Sequence, residues 1–137
     1  MEARISKVRA TSAYRQTQVQ SRSPLELVVM LYDGAIRDMT AAKAAMAQRN
    51  LANKRQAMSR ALAIVSELQS TLNMKEGGEV AQRLDSLYGY VNGRLLEANM
   101  HGHVGALEDA ISVFTTVREA WAQIATAPAQ VAAQDVA

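Results

Sequence analysis

Apolar residues return at intervals of three and four along four stretches of this 137-residue chain. The first stretch holds Leu25, Val28, Tyr32, Ala35, Met39, Ala42 and Met46, and the second Met58, Ala61, Val65, Leu68 and Leu72. The third holds Val80, Leu84, Leu87, Val91, Leu95 and Ala98, and the fourth Leu107, Ile111, Phe114, Val117, Trp121 and Ile124. Such spacing puts each set on one stripe of an α-helix. Ser23-Pro24-Leu25-Glu26 opens the first helix with an N-cap serine, a proline at the first helical position and a capping-box glutamate. Asn50 and Asn53, then the NMKEGG turn from Asn73 to Gly78, then Met100-His101-Gly102-His103 separate the remaining helices.

Four helices of roughly 30–37 Å each, at ~1.5 Å per residue, joined by short connections pack as antiparallel neighbours. The expected fold is all-α: an antiparallel up-down four-helix bundle over residues 23–125. Residues 1–22 form a basic N-terminal arm with too few apolar positions for a fifth core helix. Residues 126–137, ending in AQDVA, lose the period and are expected to be a disordered tail.

Asp33-Gly34 lies inside the first helix although Asp-Gly is a strong turn signal. The apolar stripe runs through it, so the chain does not turn there. Asp33 stands four residues before Arg37, the spacing of a helix ion pair.

The faces away from the stripes distinguish the helices. The second and fourth show ordinary polar backs, such as Gln56, Ser59 and Glu67, or Asp109, Thr116 and Gln123. On the first, Leu27, Met30, Leu31, Gly34, Ala41 and Ala45 fall off the stripe; on the third, Gly89, Gly93, Leu96 and Met100 fall almost opposite it. A mid-helix glycine costs about 1 kcal/mol relative to alanine. Small residues beside exposed Leu and Met make a shallow groove where another backbone approaches closely. Single exposed apolar residues need no cause; two strips of the same character favour a partner surface. The expectation is that Gly34 faces outward and tolerates leucine without unfolding.

Composition narrows the possibilities. Hydrophobic residues make up 49% and charged residues 20%, with aromatics at 4%, so the core is built from aliphatic side chains and alanine. The absence of cysteine excludes disulfides and thiolate metal sites. Neither a signal peptide nor a membrane span is legible, and a cytoplasmic protein without membrane insertion is expected. Before Pro24 stand Arg4, Lys7, Arg9, Arg15 and Arg22 against the single acid Glu2. This arm lacks clustered aromatics, so solvation or docking on its own body is favoured over nucleic acid. A regulatory or nucleic-acid binding module using the arm is the alternative reading.

Catalytic chemistry finds no support. His101 and His103 flank a glycine in a loop with no further ligands in sequence range and no Glu-x-x-His pair, and no cofactor or metal is expected. Gly77-Gly78 is a turn rather than a phosphate loop, and no nucleophile motif is present. Tyr32 falls on a stripe and is expected in the core with its hydroxyl bonded; Tyr88 flanks a stripe; Tyr14 and Tyr90 have stronger claims as contact residues.

AYRQTQVQSRSPLELVVMLYDGAIRDM, followed by LQSTLNMKEGGEVAQRLDSLYGYVNGRLLEAN, resembles the flagellin-specific export chaperones of the FliS family. The resemblance runs from Ala13 to about Ile124. It rests on Ala13-Tyr14, Ser23-Pro24, Met30 to Ala35, Leu72-Asn73, Gly77 to Glu79, Leu87-Tyr88 and Leu95 to Asn99 in this order. It implies a bundle that binds the disordered C-terminal segment of flagellin, prevents premature polymerisation and delivers the client to the flagellar export gate. It also implies an arm that covers part of the client surface when the protein is free. The contacts it implies, chosen with the facing argument above, are Tyr14, Val19, Leu31, Asp33, Gly34, Tyr90, Leu96 and Asn99. The expected free state is a monomer or weak homodimer. Gly89 and Gly93, the His101-Gly102-His103 loop and the alanine-rich tail depart from the family pattern.

Overall fold

A computed structural model of the chain describes residues 23–126 and Val136. These fold into four helices: α1 Pro24–Ala47, α2 Leu51–Ser70, α3 Gly78–His101 and α4 Val104–Ala125. Each of α1 and α3 packs against both α2 and α4, so the helices form a ring with α1 and α3 on one diagonal. The all-α antiparallel bundle is as expected. The arm, with Tyr14 and Val19, lies outside the described residues.

Local chemistry sets the helix ends. The Ser23 hydroxyl accepts from the Glu26 amide at 3.2 Å, with Pro24 following, so the first orphan donors of α1 are met or absent. The Asn50 carboxamide accepts from the Asn53 amide at 3.1 Å and starts α2. Asn73 organises the α2–α3 turn, its side chain accepting from Glu76 at 3.0 Å and its carbonyl from Gly77 at 2.8 Å. Gly102, at φ 66°, closes α3 in the left-handed conformation that glycine adopts without strain. At the corresponding position after α1 stands Arg49, at φ 56°. Its amide reaches the Met46 carbonyl at 3.1 Å while Asn50 reaches back to Ala45 at 2.9 Å. A non-glycine residue in this conformation costs roughly 1–2 kcal/mol.

The core is layered along the stripes, with Leu25, Met39, Met58, Val65, Val91, Leu95 and Leu107 essentially inaccessible. At its centre Tyr32 stacks on Phe114 with ring centroids 4.5 Å apart, and Tyr88 meets Phe114 edge-on at 6.1 Å. The two tyrosine hydroxyls are hydrogen-bonded at 2.7 Å, which ties α1 to α3 across the diagonal. Burial pushes both phenols above their ordinary pKa. Tyr32 thus sits as expected, and Tyr88, expected beside the stripe, is a core residue.

Two facings differ from expectation. On α3 the stripe is Ala81, Leu84, Tyr88, Val91, Leu95 and Ala98, and Val80 is 54% exposed. Either residue continues the spacing, and alanine packs where the neighbouring helix comes close. On α1 the residues Leu31, Gly34 and Ala45 are buried, not outward. A helix in a four-membered ring touches two neighbours and buries an arc wider than a single seam. A Cβ added at Gly34 would meet Ile64 Cδ1 of α2 at 3.3 Å. At Gly34 the off-stripe strip of α1 is packed against α2.

Asp33 also differs. Its carboxylate takes Arg118 Nε of α4 at 2.8 Å and Nη2 at 3.4 Å, instead of pairing with Arg37. The Arg118 guanidinium reaches Glu119 as well, at 3.1 Å. Near the other end, Val136 is buried against the α2–α3 turn, with its carbonyl 3.3 Å from the Asn73 amide.

Candidate functional site: the outer face of α3

The strip expected opposite the α3 stripe is open. Gly89, Gly93, Leu96 and Met100 are all exposed, Leu96 by 46% and Met100 by 72%. Among the described residues, a Cβ added at Gly89 or Gly93 would meet no atom within 4 Å. Packing among the described residues therefore requires neither glycine. The strip pairs two surface-flush glycines with two large apolar side chains, in a helix whose opposite face is fully used by the core.

One flank of the strip is held by α4. The Tyr90 ring is 51% exposed, and its hydroxyl donates to Asp109 Oδ2. Arg94 Nε donates to the same oxygen at 3.1 Å. Accepting the Tyr90 proton favours the neutral phenol, so this hydrogen bond raises the Tyr90 pKa. The ring is fixed at its polar tip while its apolar body faces outward, the arrangement that makes tyrosine effective in contacts. The last turn of α3 is tied to α2, where Lys54 Nζ donates to the Asn99 carbonyl at 3.1 Å.

Tyr90, Leu96 and Asn99 thus share the outer half of α3. Asp33 lies at the α1–α4 boundary, Gly34 lies against α2 and Leu31 is buried, so the α1 and α3 residues do not form one patch. Sequence reasoning passed over Leu51 and Val104 and put Val80 on the core stripe, yet all three are exposed near a helix start. Their signal was a β-branched or aliphatic residue in a first turn, where the ring of helices offers no second neighbour.

Among the described residues no cluster of three His, Cys, Asp or Glu side chains can hold a metal. His103 Nδ1 lies 2.9 Å from Glu97 Oε1, and His101 Nε2 lies 4.0 Å from Glu97 Oε2, a local polar contact. No described helix is long and apolar enough to cross a membrane.

A helical bundle with an apolar outer strip and no reactive cluster among its described residues belongs, by class, with binding proteins. The sequence matches the family described as Flagellar protein FliS over residues 7–128, and the chain belongs to that family. It is 36% identical over 116 residues to the flagellar secretion chaperone FliS of Vibrio cholerae, covering 82% of this chain and 85% of that one. The corresponding protein of Salmonella typhimurium is 36% identical over 117 residues, covering 82% and 87%. That of Bacillus subtilis is 31% identical over 112 residues, covering 82% and 83%.

Proposed function

We propose that this protein is a flagellar secretion chaperone, not an enzyme, whose client is the disordered C-terminal segment of flagellin. Membership in the FliS family and the names of its relatives support the chaperone role. The observation that carries the client surface is the open α3 strip, where Gly89 and Gly93 put no side chain beside exposed Leu96 and Met100. A disordered segment gains most from such a surface. It lays apolar side chains on Leu96, Met100 and Tyr90 while its backbone passes over the glycines. Covered in this way, those side chains are withheld from polymerisation, and the complex is presented to the export gate in the cytosol. The arm residues Tyr14 and Val19 complete the contact set, with Asn99 at the end of the strip. Asp33 acts from the α1 side, where it is half exposed and accessible to a chain that wraps the bundle, and the buried Leu31 and Gly34 serve by holding α1 in place beneath it.

Titration of the purified protein with the last segment of its flagellin tests the reading. A one-to-one complex is expected, and Met100→Asp weakens it about tenfold or more by setting a charge against an apolar contact. Absence of any heat change or mobility shift with the native protein refutes the reading.

A further inference from the structure

Beyond the strip, the end of the bundle where α1 turns into α2 carries a second feature. A cleft of about 380 Å³ opens there between Ala45 and Met46 of α1, Leu51 and Lys54 of α2, and the turn residues Arg49 and Gly102. Its volume is at the low end of the ~300–1,000 Å³ usual for ligand pockets, room for one or two side chains rather than an organic cofactor. Ala45 and Met46 supply an apolar floor. Leu51, 56% exposed, stands in its wall with no apolar neighbour sufficient to cover it.

The cleft's polar character has one sign. From Met39 to Ser66 the sequence contains no Asp or Glu but five cations, Lys43, Arg49, Lys54, Arg55 and Arg60. Lys43 is taken by Glu108 at 3.1 Å and Arg60 by Asp38 at 3.4 Å. Lys54 rests on the Asn99 carbonyl, which leaves its charge uncompensated. Among the described residues no carboxylate forms an ion pair with Arg49. Arg49 is also the one non-glycine residue with positive φ among them, where glycine or asparagine would end the helix at lower cost. An uncompensated guanidinium held in a strained backbone beside an apolar floor is a combination that folding alone does not require.

We propose that this cleft is a binding site for an acidic amphipathic peptide segment: an apolar side chain enters over Ala45 and Met46, and a neighbouring carboxylate bonds to Arg49. The guanidinium fork matches a carboxylate in two parallel bonds, and Lys54 adds a second positive charge. A nucleic acid fits poorly, because the floor is apolar and the cleft has no aromatic ring for a base to stack on. The Lys54–Asn99 bond places the cleft next to the last turn of α3, so the segment is continuous with the client strip. Naming that segment as part of flagellin rests on the client reading; its chemistry rests on the cleft alone.

The test uses the full chain and two synthetic amphipathic helical peptides, one with leucine on one face and glutamate on the other, the second with glutamine for every glutamate. The glutamate peptide is expected to bind about tenfold tighter at low salt, with the advantage shrinking as salt rises. Arg49→Gly abolishes that preference while raising Tm, because glycine is at ease at this φ; loss of binding therefore cannot be loss of folding. Leu51→Asp abolishes binding of both peptides. Equal affinity for the two peptides, or a preference that survives Arg49→Gly, overturns the proposal. So does Arg49-dependent binding of duplex DNA or anionic vesicles at the affinity of the glutamate peptide. The two readings separate cleanly. If Met100→Asp weakens the flagellin segment while the peptide preference is absent, the cleft fails and the client strip stands. If the preference holds but the flagellin segment does not bind, the strip fails and the cleft stands.

Discussion

Helices α1 and α3 carry the same signature off their core stripes: glycine beside leucine and methionine, at helical spacing. In the folded chain the two strips have opposite fates. Gly34 of α1 lies against α2, so close that a Cβ would stand 3.3 Å from Ile64. Gly89 and Gly93 of α3 face open space. Among the described residues, one strip has a partner helix against it and the other has none. The comparison teaches that a small-plus-apolar strip announces a close approach without saying whose, and that the question to ask of each glycine is what a Cβ would touch.

Substitution at the glycines breaks the comparison most sharply. Gly34→Leu forces a branched side chain between α1 and α2, with an expected loss of about 2–3 kcal/mol in denaturant unfolding. Gly34→Ala, by contrast, needs only a small shift of the flexible end of Ile64. A loss for Gly34→Leu that is no larger than for Gly34→Ala would mean that the α1–α2 contact is loose. The central tyrosines come next. Tyr32→Phe or Tyr88→Phe leaves one buried hydroxyl without its partner and costs about 1–3 kcal/mol, whereas the double variant costs less than the two added together. A double-mutant cycle with no coupling would contradict the 2.7 Å bond.

The same pair predicts a dependence on pH. Both phenols are raised in the folded state, so the unfolded chain releases these protons first. Their contribution is fully present below the unfolded pKa of about 10 and is lost as pH rises beyond it. Chemical denaturation in alkaline buffers, compared with the double phenylalanine variant, measures the difference. A smaller and opposite effect is expected at the open strip. Gly93→Ala fills no occupied space and stabilises α3 by about 1 kcal/mol or less, while narrowing the open strip for a client. The smallest is Asp33→Asn, expected to cost about 0.5 kcal/mol at low salt and less at high salt, because the pair with Arg118 is partly exposed.

Much of the fold was legible in the residues. The Ser23-Pro24 start, the Asn50 cap, the Asn73 turn and the glycine stop at Gly102 are short-range chemistry, and each appears where its pattern stands. The α2 stripe was equally clear, and on α4 Leu107, Phe114 and Trp121 are buried as expected, while Ala110 and Ala125 are buried beside the partly buried Ile111 and Ile124. What failed depends on neighbours. Val80 and Ala81 both continue the α3 spacing, and only the distance to the next helix selects the smaller one. Leu31 and Gly34 looked outward because one seam was assumed, although a helix in a ring serves two neighbours. Asp33 has a candidate partner four residues away in sequence but pairs with Arg118 on α4, which sequence spacing cannot weigh. The α3 strip was legible for a related reason: no described helix packs on it, so facing alone decides it.

The claim that the open α3 strip receives the client is tested most directly at Leu96, which is exposed and makes no core contact that its loss would disturb. Calorimetric titration with the C-terminal flagellin segment should give a one-to-one complex for the native protein. Leu96→Asp should weaken that complex about tenfold or more with Tm unchanged. Undiminished affinity in Leu96→Asp would contradict the account and move the client surface elsewhere on the bundle.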